Sequence, residues 1–282
     1  DPSGAELLFN YDALGRIVSS TDSTGTTSVV YDAVGNKISL TDPKGQTHSY
    51  TYDALDRVVQ LTYPDGSSKQ MTYDAVGNKI SETLPSGAQI LFAFNPLGKL
   101  VQRTLPGNEL QSFDYDASGR LSKAVGQNNA TLSFSYDANG RLLQEVQPQG
   151  TVQYAYDTGN GTRQIMYPGG RTITEKYDLR NRFLAVQEAG GDLVRFAYDN
   201  ATERFASLTY KNGIQGVFDY SPNGDITELG YKKDGVWLSR HLITLNTTGD
   251  IVEEADTLNS AKTKQYTYDD VQRLTRVEIG KP

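Results

Sequence analysis

A unit of about 21 residues recurs along the whole chain and constrains the fold more than any other feature. Each unit is marked by an anchor, which is tyrosine in eleven of thirteen repeats and is usually followed by aspartate, as in Tyr11-Asp12. Successive anchors are 20 to 25 residues apart. The anchors are Tyr11, Tyr31, Tyr52, Tyr73, Phe94, Tyr115, Tyr136, Tyr156, Tyr177, Tyr198, Tyr220, Leu245 and Tyr268. A tandem repeat of this length predicts one supersecondary unit per period, packed against its neighbours.

Each period contains two turn signals and therefore room for two short strands. A glycine usually lies four residues after the anchor, and a second glycine lies about fourteen residues after it. The second-turn glycines are Gly25, Gly45, Gly66, Gly87, Gly150, Gly170 and Gly191. The six or seven residues between turns are too few for a stable helix but fit a strand. The sequence predicts an all-β chain of tandem hairpins with about 26 strands.

The strand that enters each anchor alternates between apolar and polar residues. Two residues before the anchor, twelve of the thirteen repeats carry an apolar side chain, such as Phe9, Met71 or Phe134, and only Glu175 departs. Residues two apart share one face of a strand. The pattern therefore predicts one aromatic face, on which like residues of neighbouring repeats lie side by side.

A basic residue follows the first turn in ten repeats. These residues are Arg16, Lys37, Arg57, Lys79, Lys99, Arg120, Arg141, Arg182, Arg204 and Arg273. One interpretation is a stripe that binds an anion. The other is that the aspartate after the anchor binds turn amides and pairs with the base. The second is favoured because the net charge is −7 and each base has an acid nearby, although such exposed pairs contribute only about 0–1 kcal/mol each.

The sequence contains few of the residues that metal binding or catalysis requires. There is no cysteine, which excludes thiolate zinc sites and disulfides, and the two histidines, His48 and His241, are distant in sequence. Residues 114–119 resemble the start of a calcium loop, but Val125 stands where a bidentate glutamate is expected. The adjacent carboxylates at 253–254 are expected to be solvated. No phosphate loop or nucleophile motif occurs, and we expect no enzymatic activity, no metal and no cofactor.

Charge and hydropathy exclude two further classes. A chain with a net charge of −7 and a pI of about 5.0 is poorly suited to neutralising phosphates, which argues against a nucleic-acid partner. No apolar run approaches the roughly 18 residues of a membrane-spanning helix, so no membrane span is expected.

The repeated unit Tyr-Asp-Ala-Leu-Gly-Arg, seen at residues 11–16 and in variants along the whole chain, resembles the YD repeat of Rhs (rearrangement hotspot) proteins. The same repeat occurs in the C components of Tc-type insecticidal toxin complexes and in teneurins. The resemblance implies a curved β-ribbon that spirals into a hollow shell, around a C-terminal toxin or, in teneurins, a plug.

The bacterial shells of this family usually end in a self-cutting core segment marked Asp-Pro-x-Gly. The strings Asp1-Pro2-Ser3-Gly4 and Asp42-Pro43-Lys44-Gly45 match that marker. Both place glycine seven residues before the next anchor, which is the ordinary second-turn position. No protease residue is therefore assigned.

We interpret residues 1–282 as a single array that becomes less regular over residues 199–282. The anchor spacing there lengthens to 22, 25 and 23, and Ala201-Thr202-Glu203 replaces the turn glycine. Looser turns are expected around residues 229–237, which hold the only tryptophan, and a contact site is the alternative. The chain begins and ends inside turns without an initiator methionine, so we expect it to be a piece of a longer polypeptide.

These observations favour a structural function. The expected role is a non-enzymatic segment of the repeat shell of a secreted bacterial polymorphic toxin, which encapsulates a C-terminal toxin domain. Its partners would be the remainder of its own polypeptide, and its location secreted or at the bacterial cell surface. The alternative is an extracellular or cell-surface YD-repeat module that binds carbohydrate through its tyrosines, or binds a protein partner.

Overall fold

The structure, a computed structural model, describes residues 6–280, so the Asp-Pro-Ser-Gly string at residues 1–4 lies outside the described residues. The described residues form 26 strands and two single-turn 3-10 helices, Gln127–Asn129 and Ser260–Lys262. The strands are β1 (Glu6–Tyr11), β2 (Ile17–Asp22), β3 (Gly25–Tyr31), β4 (Lys37–Thr41), β5 (Thr47–Tyr52), β6 (Val58–Thr62), β7 (Ser68–Tyr73), β8 (Lys79–Thr83), β9 (Gln89–Phe94), β10 (Leu100–Leu105), β11 (Glu109–Tyr115), β12 (Leu121–Val125), β13 (Thr131–Tyr136), β14 (Leu142–Gln147), β15 (Gly150–Asp157), β16 (Thr162–Met166), β17 (Thr172–Tyr177), β18 (Phe183–Glu188), β19 (Gly191–Tyr198), β20 (Phe205–Tyr210), β21 (Gln215–Tyr220), β22 (Ile226–Lys233), β23 (Val236–Leu245), β24 (Ile251–Asp256), β25 (Lys264–Tyr268) and β26 (Leu274–Ile279).

The prediction of an all-β chain of tandem hairpins is confirmed. Twelve of the thirteen anchors are the last residue of a strand, and the exception, Tyr156, is followed by one further strand residue, Asp157. One detail was wrong: the turn before β19 has its left-handed glycine at Gly190, with φ of 79°, and not at Gly191, which begins the strand.

The described residues fall into two units. Unit 1 contains residues 6–30, 41–45 and 175–280, and unit 2 contains residues 31–40 and 46–174. In unit 1, each strand from β18 to β26 pairs antiparallel with the next, β26 pairs with β1, and the series continues to β3. In unit 2, the same antiparallel series runs from β5 to β16.

A register shift beside the anchor recurs along both units. In β7 and β8, for example, Tyr73 is opposite Lys79 and the shift falls between Thr72 and Tyr73. The shift lies directly before the anchor in eight further hairpins. A bulge bends its strand and re-aims the side chain next to it, so the repeat fixes the direction of the anchor side chain.

Burial follows the predicted alternation, although few side chains are fully covered. In β7, Lys69, Met71 and Tyr73 are half-buried, whereas Gln70 and Thr72 are exposed. Among the described residues, the buried apolar side chains are Val152, Ile173, Ala185 and Val277. Strand pairing and contacts between neighbouring side chains on one face therefore stabilise each unit more than a packed core does.

The irregular region differs from the expectation of looser turns. Strands β22 and β23 have eight and ten residues, and only Asp234 and Gly235, both with positive φ, connect them. Two residues of this kind form the tight turn that continues the twist of its strands. The additional residues lengthen the hairpin instead of its turn.

Among the residues that the structure describes, no helix has the length and apolar character that crossing a membrane requires.

Candidate functional site

The aspartate after each anchor organises the first turn. In the repeat of Tyr115, Asp116 Oδ1 accepts hydrogen bonds from the amides of Ser118 and Arg120, both at 2.9 Å. The amide of Gly119 donates to the Asp116 carbonyl over 2.9 Å, and Gly119 has a φ of 76°. Glycine adopts this conformation without steric cost, which is why the repeat usually has glycine there.

The arginine after the turn then connects two repeats. Arg120 Nε donates to Asp116 Oδ2 over 2.7 Å. The same guanidinium lies 4.6 Å from the ring centroid of the next anchor, Tyr136, and Nη1 donates to the Asp137 carbonyl over 3.3 Å. Cations over tyrosine rings are attracted by the electron-rich face of the ring. The pairing interpretation is thus correct for six arginines, which also include Arg16, Arg57, Arg141, Arg182 and Arg273. Lys79 instead pairs with Glu82, and Arg204 donates to the Ser221 carbonyl of the next repeat.

The anchor hydroxyl closes the connection from the other side. The Tyr136 hydroxyl donates to the Leu121 carbonyl, in the preceding repeat, over 2.8 Å. The corresponding pairs are Tyr11 with Leu274, Tyr52 with Lys37, Tyr73 with Val58, Tyr115 with Leu100, Tyr156 with Leu142, and Tyr268 with Ile251. We term the set of anchor, aspartate and cation the inter-repeat ladder.

The cation lies over the anchor ring in both units. The pairs besides Arg120 with Tyr136 are Arg57 with Tyr73, Lys99 with Tyr115, Arg141 with Tyr156, Arg182 with Tyr198, Arg204 with Tyr220, and Arg273 with Tyr11. The centroid distances range from 4.2 Å in the pair of Arg182 to 5.6 Å in the pair of Arg204. The ladder therefore tolerates either lysine or arginine.

The ladder changes where the sequence departs from the repeat. The Tyr177 hydroxyl donates to Glu175 Oε2 over 2.8 Å, so the one polar residue at its position on the aromatic face serves its own anchor. Phe94 and Leu245 have no hydroxyl to donate. The anchor Tyr31 is the last residue of β3, and it also interacts with other residues.

The residues considered for metal or acid–base chemistry do not converge. Among the described residues, no group of three or more histidine, aspartate or glutamate side chains is placed to hold a metal ion. In the segment that resembles a calcium loop, Asp114 is exposed on the face opposite Tyr115, and both oxygens of Asp116 bind the first turn. His48 lies edge-on to the Tyr63 ring at 5.7 Å.

One ionisable cluster was not predicted from the sequence. Glu254 Oε2 accepts hydrogen bonds from Lys264 Nζ at 2.9 Å and from the Tyr266 hydroxyl at 3.1 Å. His241 Nδ1 lies 3.2 Å from Glu254 Oε1. The expectation that the carboxylates at 253–254 are simply solvated is therefore wrong for Glu254. No spacing in the sequence indicates the cluster, because its members come from three strands.

The electrostatics of this cluster favour a structural ion pair. Burial is the largest single influence and opposes the charged form of Glu254, but the hydrogen bond and charge of Lys264 together with the Tyr266 hydroxyl outweigh it, and the pKa of the carboxyl is lowered. Burial, followed by the charge of Glu254, raises the pKa of Tyr266 to about 12. A carboxylate held ionised beside a tyrosine held protonated is not poised for proton transfer near neutral pH.

Acid is expected to destabilise the ladder. In Asp12, Asp116, Asp137, Asp178 and Asp269, the amide of the arginine four residues later lowers the pKa of the carboxyl most, and the guanidinium adds to it. A lowered pKa in the folded state contributes stability that is present above the unfolded value of about 3.9 and is lost as the pH falls through the folded values. We expect the thermal midpoint, followed by circular dichroism, to be flat from about pH 7 to 5 and to fall steeply below about pH 4.

Asparagine provides the matched control, because Asn95 already occupies this position in the chain. Its Oδ1 accepts from the amides of Leu97 and Lys99, both at 3.0 Å, so the neutral amide keeps the turn. A variant with asparagine at the five aspartates should lose part of the acid dependence, because other carboxyls, such as Asp22 and Glu82, also have a lowered pKa. Equal acid sensitivity of the two proteins would contradict the assignment.

Comparison with known sequences and structures finds similar proteins. Residues 3–167, more than half of the 282-residue chain, match the family model of the teneurin YD-shell. The crystal structure of TcdB2-TccC3 is similar with a TM-score of 0.51 and 12% identity, covering 97% of this chain and 20% of that one. The Photorhabdus luminescens Tc holotoxin pore with mutated TccC3 gives the same TM-score and identity, covering 97% and 19%. The chain thus spans about a fifth of these structures, and the likeness shows the fold. No curated protein matches the sequence.

Proposed function

Because the chain belongs to the teneurin YD-shell family, we propose that it is a non-catalytic segment of a shell wall. The shell is that of a secreted bacterial polymorphic toxin, and it encapsulates the C-terminal toxin domain of the same polypeptide. Residues 1–282 then form a single array within that longer polypeptide, and the thirteen anchors are its structural positions.

The inter-repeat ladder is the observation that carries this proposal. Its hydroxyls, carboxylates and cations bind groups of their own or the neighbouring repeat, as Tyr136 and Arg120 do. Nucleophiles and general bases need a group that is free to meet a substrate. Repeated side chains that are engaged with one another instead build a continuous wall.

Containment follows from the strand pairing. Neighbouring strands lie about 4.8 Å apart and are joined by backbone hydrogen bonds, which leaves no passage for a polypeptide between them. The ladder adds a side-chain connection between most neighbouring hairpins, so a wall of this kind resists local opening. The enclosed domain and the remaining repeats are the partners that this function requires.

The similar structures support the toxin context. They are a TcdB2-TccC3 complex and a Tc holotoxin pore. A toxin that stays enclosed inside the cell that produces it can act only after it has been released outside that cell. We therefore place the parent polypeptide among secreted proteins. The carbohydrate alternative gains no support from the anchors, since a cation covers one face of seven of their rings, and it stays a prediction.

The first experiment is to sequence the parent gene on both sides of this segment. Further YD repeats, a core segment with Asp-Pro-x-Gly and an unrelated C-terminal domain are expected. Repeats that continue into wall-anchoring or sugar-binding segments would contradict the proposal and favour the surface module.

The second experiment is limited proteolysis of that full-length polypeptide. The C-terminal domain should resist protease while the wall is intact and become sensitive when the anchors Tyr73, Tyr115 and Tyr136 are replaced by alanine. A C-terminal domain that is digested at the same rate in both proteins is not contained by these repeats.

A further inference from the structure

Asparagine is followed by glycine at four places in the chain, and all four lie between consecutive strands. The asparagines are Asn139, Asn160, Asn212 and Asn223. Such a pair can rearrange without an enzyme, because the amide nitrogen of the glycine can attack the side-chain carbonyl carbon of the asparagine. Glycine has no Cβ to hinder the attack and gives the backbone its widest freedom. The four sites differ, however, in the hydrogen bonds that hold them.

Three of the four glycine amides are bound within their own turns. Gly140, Gly213 and Gly224 each donate the backbone amide to the carbonyl three residues earlier, over 3.0, 2.9 and 3.0 Å. This hydrogen bond closes the turn, so it must break before the nitrogen can reach another carbon. These three sites can therefore react only through a local opening of the turn.

The loop that contains Asn160 is built differently. Strands β15 and β16 end at the pair of Asp157 with Thr162, which leaves a four-residue loop between them. Among the hydrogen bonds of residues 6–280, none is donated by the Gly161 amide. Gly159 also precedes Asn160, so the backbone can rotate on both sides of the asparagine. Cyclisation at Asn160 therefore requires no backbone hydrogen bond of the glycine to open.

The side chain of Asn160 is held by one exposed contact. Its Nδ2 donates to Asp157 Oδ2 over 2.6 Å, and its backbone amide donates to Asp157 Oδ1 over 3.1 Å. Both residues are exposed, so water can replace the side-chain bond at little net cost. The bond also engages the nitrogen that leaves in the rearrangement, and not the carbon that is attacked.

We propose that Asn160 is a site of spontaneous modification, which converts to aspartate and isoaspartate before the other three asparagines do. The Gly161 nitrogen bonds to Asn160 Cγ and the bond from Cγ to Nδ2 breaks. Nδ2 takes up the amide proton of Gly161 and leaves as ammonia, so a cyclic imide remains. Water, the only co-reactant, then opens the imide at either carbonyl, which gives aspartate or isoaspartate.

The product of this reaction places a second carboxylate beside Asp157. The nitrogen that donates to Asp157 Oδ2 over 2.6 Å is replaced by an oxygen, so an attraction becomes a repulsion between like charges. The hydrogen bonds from Asn160 are also the largest influences that lower the pKa of Asp157, and the conversion removes the one from the side chain. The modification therefore loosens the end of the β15–β16 hairpin.

Peptide mapping by mass spectrometry tests the proposal in a single sample, since all four sites lie in one chain. The 282-residue chain is aged in a mildly alkaline buffer, and aspartate and isoaspartate are quantified at each site over time. Asn160 should convert at least about fivefold faster than each other site, because one backbone hydrogen bond corresponds to roughly that factor in rate. Ageing of the same chain in urea removes the turns, so the four rates should then become similar.

Three results of this experiment would overturn the proposal. The first is conversion at Asn139, Asn212 or Asn223 that is as fast as conversion at Asn160. The second is an Asn160 that stays intact in the folded chain while it converts in urea. The third is the same order and ratio of rates in the folded and the unfolded chain, which would make the preference a property of the local sequence alone.

Two variants test the consequence for the hairpin. Asn160→Asp reproduces one product and should raise the rate of proteolytic cleavage within the loop about threefold, which is roughly what one exposed charge contact is worth. The matched control combines Asn160→Asp with Asp157→Asn, so that one amide and one carboxylate face each other again with their places exchanged. Cleavage of this double variant should return to the native rate. Equal cleavage of the native chain and of Asn160→Asp would show that the added carboxylate does not loosen the hairpin.

Discussion

Replacing Tyr73, Tyr115 and Tyr136 together by alanine is expected to unfold unit 2 locally and to expose it to protease. Each ring is half-buried beneath a cation, and each hydroxyl donates over 2.8 Å to a carbonyl of the preceding repeat. Loss of a fully buried aromatic costs about 3–5 kcal/mol, so a half-buried anchor should cost about 2 kcal/mol. Three anchors then cost about 6 kcal/mol, within the range of about 5–15 kcal/mol that stabilises a domain. Limited proteolysis and urea unfolding followed by circular dichroism measure the effect.

Two control proteins separate the ring from the hydroxyl and from the strand. Phenylalanine at the three anchors removes only the hydrogen bond and should cost about 1 kcal/mol per position. Alanine at the preceding residues Thr72, Asp114 and Ser135, which are exposed on the opposite face, should change stability little. If the alanine anchors left protease resistance and the urea midpoint unchanged, the ladder would not stabilise the repeats.

A single methyl group at Gly230 is expected to disrupt the extended β22–β23 hairpin. A Cβ there would lie 2.3 Å from the Ser239 carbonyl oxygen, 2.9 Å from Arg240 Cα and 3.0 Å from Trp237 Cζ3. Two of these atoms belong to the backbone, so the strands must separate. We expect Gly230→Ala to cost about 3 kcal/mol. The fluorescence of Trp237, the only tryptophan, reports the local change, and urea unfolding gives the free energy.

Gly66→Ala is the matched control for the backbone term. Gly66 has a φ of 82°, but an added Cβ would have nothing within 4 Å. The substitution should therefore cost only the conformational strain, about 1 kcal/mol, and leave the tryptophan spectrum unchanged. Equal stability and equal spectra of the two variants would show that β22 and β23 are not packed as described.

Much of the fold could be predicted because the repeat is local. Anchors and turns recur within one period, so the positions of the strands follow without knowledge of distant contacts. The pattern is strong enough to impose left-handed backbone where glycine is missing: Asp56, Asn181, Glu203 and Gln272 have φ between 58° and 64°. Each occupies the position four or five residues after its anchor, where most repeats have glycine.

The extended hairpin was missed although its signal was present. Asp234-Gly235 is a strong two-residue turn signal, and the lengthened anchor spacing was interpreted as turn length. The spacing alone does not say whether extra residues extend a turn or a pair of strands. That choice depends on cross-strand partners such as Lys232 and Trp237, which sequence spacing does not show.

The candidate site was predicted in part for a related reason. The pairing of aspartate with a base four residues later is local and was found. The contacts of Arg120 with Tyr136 and of Tyr136 with Leu121 join residues of neighbouring repeats, and they depend on the register between hairpins. The cluster around Glu254 depends on the register of three strands and on no repeated residue.

The regular part of the ladder also has an evolutionary consequence. Where the anchors are regular, each hairpin meets the next through the same kinds of contact, so duplication or deletion of one whole regular repeat in the gene creates no new type of joint. Recombination between repeats can therefore lengthen or shorten the wall in steps of about 10 Å. Insertion of a single residue within a strand would instead turn every later side chain of that strand to the opposite face. The size of such a wall is thus free to vary between lineages, whereas the length of each strand is not.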